Sequence, residues 1–125
     1  MGLCPDFLLF NHRQAKIQTT MRTFWNFNGG IKHIDAWEPN CWVQITCPAD
    51  EDKEFLEKEL GMPDYFMEDV SDADERARYD MDEGWLMIIL RIPHLKSVSS
   101  RSPYTTIPLG IVLKGEKIIT ICNQE

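Results

Sequence analysis

Fifteen carboxylates lie between Asp50 and Glu83, against four cations, Lys53, Lys58, Arg76 and Arg78. That stretch carries −11, more negative than the −7 of the whole 125-residue chain. Carboxylate oxygens are hard ligands that suit Mg2+ and Ca2+, and a crowd of them concentrates such ions even without a dedicated site. The plainer account of the same residues is a solvated helical face. Asp69, Asp72 and Asp74 do not form a calcium loop of the EF-hand type, which needs a central Gly and a closing Glu at fixed spacing.

The other residue types that do chemistry are dispersed. His12, His33 and His94 are far apart, none in a spacing such as H-E-x-x-H, and read as surface or edge histidines. Cys4, Cys41, Cys47 and Cys122 contain no C-x-x-C pair. They read as reduced thiols used as small hydrophobes, not as a zinc site or a disulfide framework. The sequence holds no G-x-S-x-G, no Gly-rich phosphate loop and no Cys with a convincing partner base. The chain is therefore not expected to be an enzyme or to act on a small-molecule substrate. Its acidity argues against nucleic acid as a partner. Trp25, Trp37, Trp42 and Trp85 fit core and strand-pair packing better than base stacking.

Short strands and two helices must position these side chains. Residues 22–28 end at Asn28-Gly29-Gly30, a turn signal, and 31–36 read as the return strand. Residues 41–47 alternate Val43, Ile45 and Cys47 with Trp42, Gln44 and Thr46, which predicts a third strand. Residues 50–60 switch to helical spacing, with Asp50 as the expected N-cap and Gly61 as the left-handed stop. Pro63 opens a second helix reaching about Val70. Strands follow at 76–81, 85–92, 106–113 and 118–122, with a polar, Ser-rich hairpin loop at 94–103. The order βββ–αα–ββββ predicts an α+β domain: a mixed, largely antiparallel sheet of about seven strands with two helices on one face. Residues 85–92 are apolar almost throughout and read as a central strand, buried on both faces and closed by Pro93. Two helices cannot cover both faces, so a second copy, residues 1–20 or a downstream helix is expected on the other. Regular patterning begins at Met21. Residues 1–20 read as a leader or non-native extension, and 21–125 as the domain, incomplete at its C-terminal end. No signal peptide or myristoylation motif is evident, since Asp6 stands where the latter needs Ser or Thr. The longest apolar run, residues 85–90, is far short of the roughly 18 residues that cross a bilayer.

The run W-V-Q-I-T-C-P-A-D-E-D-K-E-F-L-E-K-E-L-G-M-P-D-Y-F-M-E-D-V-S-D-A-D-E-R-A-R-Y-D at 42–80 is followed by E-G-W-L-M-I-I-L-R-I-P, I-P-L-G-I-V-L and K-I-I-T-I. In that order these segments resemble the cytosolic N-terminal domain of CorA-type magnesium and cobalt channels. Ala49 stands where the family often has a capping Ser or Thr, and Ala77 where Pro is common. The family's stalk helix, two membrane helices and Gly-Met-Asn pore signature are absent, and Gly61-Met62-Pro63 is only a helix junction.

The resemblance implies a regulatory, divalent-cation-sensing domain that is not transport-competent by itself. It implies a homopentamer in the full-length parent, at the cytoplasmic face of the inner membrane, touching the membrane only through the missing C-terminal helices. It implies Mg2+, with Co2+ as a second ion, bound between protomers; no cofactor is expected to be needed for folding. Carried over onto this sequence, the metal carboxylates are Asp69 and Glu68, one half of a site whose partner carboxylate belongs to the stalk. With no stalk, both are expected to face solvent without a partner. The alternative is a stand-alone soluble α+β interaction module with no membrane role. A metal-dependent hydrolase would have the acids but lacks a convergent His or nucleophile.

Overall fold

The structure, a computed structural model, describes residues 22–96 and 101–123. The chain opens with strands β1 (Arg22–Asn26), β2 (Lys32–Ile34) and β3 (Trp42–Thr46), the last with Val43 and Ile45 buried in alternation. Pro48 ends this first group, and helical spacing takes over in α1 (Asp50–Glu54), which passes into a π-helical turn at Phe55–Glu59. Gly61, with φ of +79°, reverses the chain at no steric cost before α2 (Asp64–Ser71). Strands β4 (Arg78–Asp82), β5 (Trp85–Leu95), β6 (Tyr104–Lys114) and β7 (Lys117–Cys122) complete the order.

The strands form one seven-stranded sheet in the order β2-β1-β3-β7-β6-β5-β4. Every neighbouring pair is antiparallel except β3 and β7, which run parallel with Val43 opposite Ile119 and Ile45 opposite Ile121. This is the α+β class expected from the element order. The parallel pair joins the opening hairpin to the closing meander, and the helices cross one face of the sheet between them.

Side-chain alternation assigns each face. Cys41, Val43, Ile45, Trp85, Met87, Ile89, Val112, Ile119 and Ile121 are buried together with Leu56, Leu60, Met62, Phe66, Met67 and Val70 from the helices. Helix α2 seats closely on β6. A Cβ on Gly110 would stand 2.5 Å from Cγ2 of Val70, so the helix seats this closely only because residue 110 has no side chain. The other face carries Trp25, Trp42, Leu86, Ile88, Leu109, Ile111, Leu113 and Ile118, all only half-buried.

Several expectations need correction. β5 is second from the sheet edge rather than central, and only Trp85, Met87 and Ile89 on its helix side are buried. Pro93 does not close it; pairing continues through Pro93 opposite Thr106 to Leu95 opposite Tyr104. The strand therefore consumes the start of the expected loop, whose residues 97–100 lie outside those described. The N-cap of α1 is Ala49, not Asp50. Asp52 explains the shift: its Oδ2 accepts the Ala49 N–H at 2.9 Å, so the acid three places on ties the helix start down. Pro63 occupies the N-cap position of α2 rather than its first turn. Cys41 and Cys122 are free thiols, but Cys47 is disulfide-bonded, against the reading of all four as reduced. Met21 and the proposed leader lie outside the described residues.

Candidate cation half-site at the end of the second helix

Helix α2 buries Phe66, Met67 and Val70 and leaves its remaining side chains at the border of the core. Consecutive helical residues point about 100° apart, and this separates the two carboxylates carried over from the family. Glu68 is exposed, beside Pro48, Ala49, Asp50, Lys53, Ser71 and Asn123 around an open depression on the α1 side. Asp69 is half-buried and turns toward β4, where its Oδ2 accepts a hydrogen bond from Nη2 of Arg78 at 2.8 Å. The expectation that both would face solvent without a partner holds for the exposure of Glu68 and fails for Asp69.

Arg78 is the centre of this corner. Its Nε donates to Oε1 of Glu75 at 3.0 Å, and Nη2 reaches Oε2 of the same residue at 3.4 Å. Oδ2 of Asp80 lies 3.8 Å from Nη1. Three carboxylates thus share one guanidinium, leaving the group at −2. The bond from Arg78 holds the Glu75 carboxyl below its ordinary value, and Glu75 and Asp69 together push the guanidinium further up from its already high one. Alongside, the Tyr65 hydroxyl donates to Oδ2 of Asp82 at 2.9 Å. Burial of that hydroxyl, the Asp82 bond and nearby Asp80 raise the Tyr65 pKa to about 12.

The backbone around the corner is held from three sides. Nδ2 of Asn123 donates to the Val70 carbonyl at 3.3 Å, meeting one of the acceptors that a helix C-terminus leaves open. Nη1 of Arg91 donates to the carbonyls of Ala73 at 2.7 Å and Glu75 at 3.0 Å, while Nη2 donates to that of Thr106 at 2.6 Å. Oδ1 of Asp72 accepts the Asp74 N–H at 2.9 Å and closes the turn. The loop from α2 to β4 is therefore pinned to β5 and β6, which fixes Glu75 and Arg78 relative to Asp69.

Neither Arg78 nor Tyr65 stood out in the sequence as part of a site. A signal was present: on a strand, Arg78, Asp80 and Asp82 share one face and Tyr79 and Met81 the other. Once β4 is laid against β5, with Asp80 opposite Met87, the first set must lie on the helix side.

Mg2+ keeps most of its water and commonly takes one or two protein carboxylates, so the oxygen donors of Asp69 and Glu68 suit it chemically. Among the described residues, no group of three or more His, Cys, Asp or Glu could hold a metal ion. The two carboxylates diverge and Asp69 already holds Arg78, so this corner does not form a closed site by itself. A wider cavity of about 510 Å³ lies elsewhere, between β1, Trp37 and α1, where Asp35, Glu51, Glu54 and Glu59 mix with Arg22 and Lys58.

The profile of the family described as CorA-like Mg2+ transporter protein matches residues 37–125. No curated protein matches the chain. Among solved structures, the complete CorA magnesium transporter from Methanocaldococcus jannaschii is 23% identical with a TM-score of 0.67, covering 84% of this chain and 33% of that one. The soluble domain of CorA from the same organism is 22% identical with a TM-score of 0.66, covering 84% of this chain and 42% of that one. The ZntB cytoplasmic domain from Vibrio parahaemolyticus RIMD 2210633 is 17% identical with a TM-score of 0.64, covering 82% and 43%. At these identities the structures establish a shared fold, and this chain spans less than half the length of each. With the profile match extending from the loop before β3 to residue 125, the chain belongs to the CorA-like Mg2+ transporter family.

Proposed function

We propose that this chain is a divalent-cation-sensing, regulatory domain of a CorA-like Mg2+ channel, with Co2+ as a second ion. In the full-length parent it would stand at the cytoplasmic face of the membrane in a homopentamer, with stalk, membrane helices and pore supplied by polypeptide outside this chain. No helix among the described residues is long and apolar enough to cross a membrane. The observation that carries the reading is the family match, joined to a carboxylate, Asp69, held at the end of α2 on a braced scaffold. Asp69 and the neighbouring Glu68 would form half of a regulatory Mg2+ site, and the facing protomer the rest.

The isolated chain should therefore bind Mg2+ weakly, with a dissociation constant on the order of millimolar or above, at most about 4 kcal/mol. Titration at 150 mM salt of the wild type beside Asp69→Ala tests this. Micromolar binding that survives the substitution would place the ion elsewhere and overturn the assignment. The rival, a stand-alone interaction module, draws support from the half-exposed apolar sheet face. A module of that kind predicts no Mg2+ binding that depends on Asp69.

A further inference from the structure

We infer that Arg78 is a tethered cation competing with a divalent ion for Asp69, so that the half-site is closed by an internal arginine until the ion displaces it. The inference rests on the cation-sensing reading and concerns how that same site is set.

Three observations carry it. The guanidinium already sits where a cation would, with Nη2 at 2.8 Å from Oδ2 of Asp69. It also has a place to stay when Asp69 is withdrawn. Glu75 accepts from both Nε and Nη2, and Asp80 lies 3.8 Å from Nη1. Losing Asp69 would not orphan a buried charge, the event that makes breaking an ion pair severe. Finally, both partners are partly in water, with side-chain exposures of 34% for Arg78 and 26% for Asp69. Exchange in such a setting is mild, because partly exposed pairs contribute little. Meanwhile β4 and the Arg91-braced loop keep the arginine within reach, so it returns whenever the ion leaves. An arginine with a single carboxylate would act as a fixed structural bond; one with an alternative carboxylate can exchange.

Removing the charge should tighten Mg2+ binding by about tenfold. A monovalent and a divalent charge about 5 Å apart repel by roughly that factor in water, after screening and with the lost pair included. The test is Mg2+ titration of the full chain at 150 mM salt, followed through the amide resonances around Asp69. It compares wild type, Arg78→Gln, Arg78→Lys, Asp69→Asn and the Arg78→Gln/Asp69→Asn double variant. The expected result is about tenfold tighter binding for Arg78→Gln, abolished in the double variant. Arg78→Lys keeps the charge but cannot hold Glu75 and Asp69 with one fork, and should lie between, at about threefold. Binding that depends on Asp69 but is unmoved by Arg78→Gln overturns this inference and leaves the Mg2+ reading standing. Binding indifferent to Asp69 in both backgrounds overturns both. Should Arg78→Gln fail to fold, a folded Arg78→Lys chain with unchanged affinity is sufficient to overturn the inference.

Discussion

The two faces of the sheet are built from nearly the same residues and meet different fates. On the helix side, Val43, Ile45, Met87, Ile89, Val112, Ile119 and Ile121 are at most 1% exposed. One residue along each strand, Trp42, Leu86, Ile88, Ile111 and Ile118 remain half-buried, Leu90 is 42% exposed, and Tyr79 and Met81 at the edge are 71% and 66% exposed. Apolar chemistry is thus not what distinguishes core from surface in this chain; the cover is. The second face also satisfies its own polar atoms, since the indoles of Trp25 and Trp42 donate to Gln44 Oε1 at 2.9 Å and Thr120 Oγ1 at 2.8 Å. Such satisfied indoles are what a face needs if it is to be buried by something else.

The comparison predicts unequal costs for equal truncations. Phe66→Ala, under the helices, should lower stability by about 3–5 kcal/mol in urea unfolding, because the seat cannot collapse around the lost ring. Ile111→Ala, on the half-buried face of β6, should cost less, about 1–2 kcal/mol, since part of its side chain stays in contact with water. Equal losses at the two positions would mean the second face is as well packed as the first. A sharper test uses Gly110. Gly110→Ala places a methyl into Val70, which overpacking puts at about 1–3 kcal/mol. Adding Val70→Ala should recover part of that loss, and a double variant no better than the sum would show that α2 does not seat on β6 at this point.

Alternation separated the two faces of β3 in the sequence, and the turn at Gly61 and the order of nine elements followed from period and punctuation alone. What covers a face lies outside those signals, which is why residues 85–92 read as a central, doubly buried strand. Their composition is that of a core strand, but β5 lies beside the edge strand β4. The N-cap failed for a related reason. Side-chain type favoured Asp50, whereas the bond that the Ala49 N–H donates to Oδ2 of Asp52 decided the register. At the candidate site, the position of Asp69 on α2 was readable from family pattern. Its bond to Arg78 was not, because nine residues and a turn separate them and only the β4–β5 register shows that they meet.

The polar rim between α2 and β4 marks the border of the covered face, and two pH responses probe it. Arg78 holds the Glu75 carboxyl below its ordinary value, so the folded state binds that proton less readily than the unfolded chain does. The associated stability is present above the unfolded carboxylate range and is lost as pH falls through the depressed folded value. Melting temperature measured from pH 6 down to pH 3 should fall, and Arg78→Gln should flatten that part of the curve. An identical slope in the variant would show that Glu75 gains nothing from the arginine.

The smallest expected effect lies at the opposite end of the pH scale. Tyr65 donates to Asp82, and its phenol is raised from the ordinary value near 10 to about 12. A raised value means the neutral phenol is favoured by folding. Its contribution is therefore complete below pH 10 and disappears as pH climbs toward 12, when the phenolate would face the Asp82 carboxylate with no proton between them. Tyr65 packs edge-on against Phe66, with ring centroids 5.0 Å apart, so the strain would be felt at the seat of α2. Unfolding monitored between pH 9 and pH 12 should show a loss that Tyr65→Phe diminishes, since phenylalanine keeps the ring contact and has no proton to lose. If Tyr65→Phe leaves the alkaline loss as it is, the hydroxyl at the border is not tied to folding, and the distinction between the faces does not extend to their polar edge.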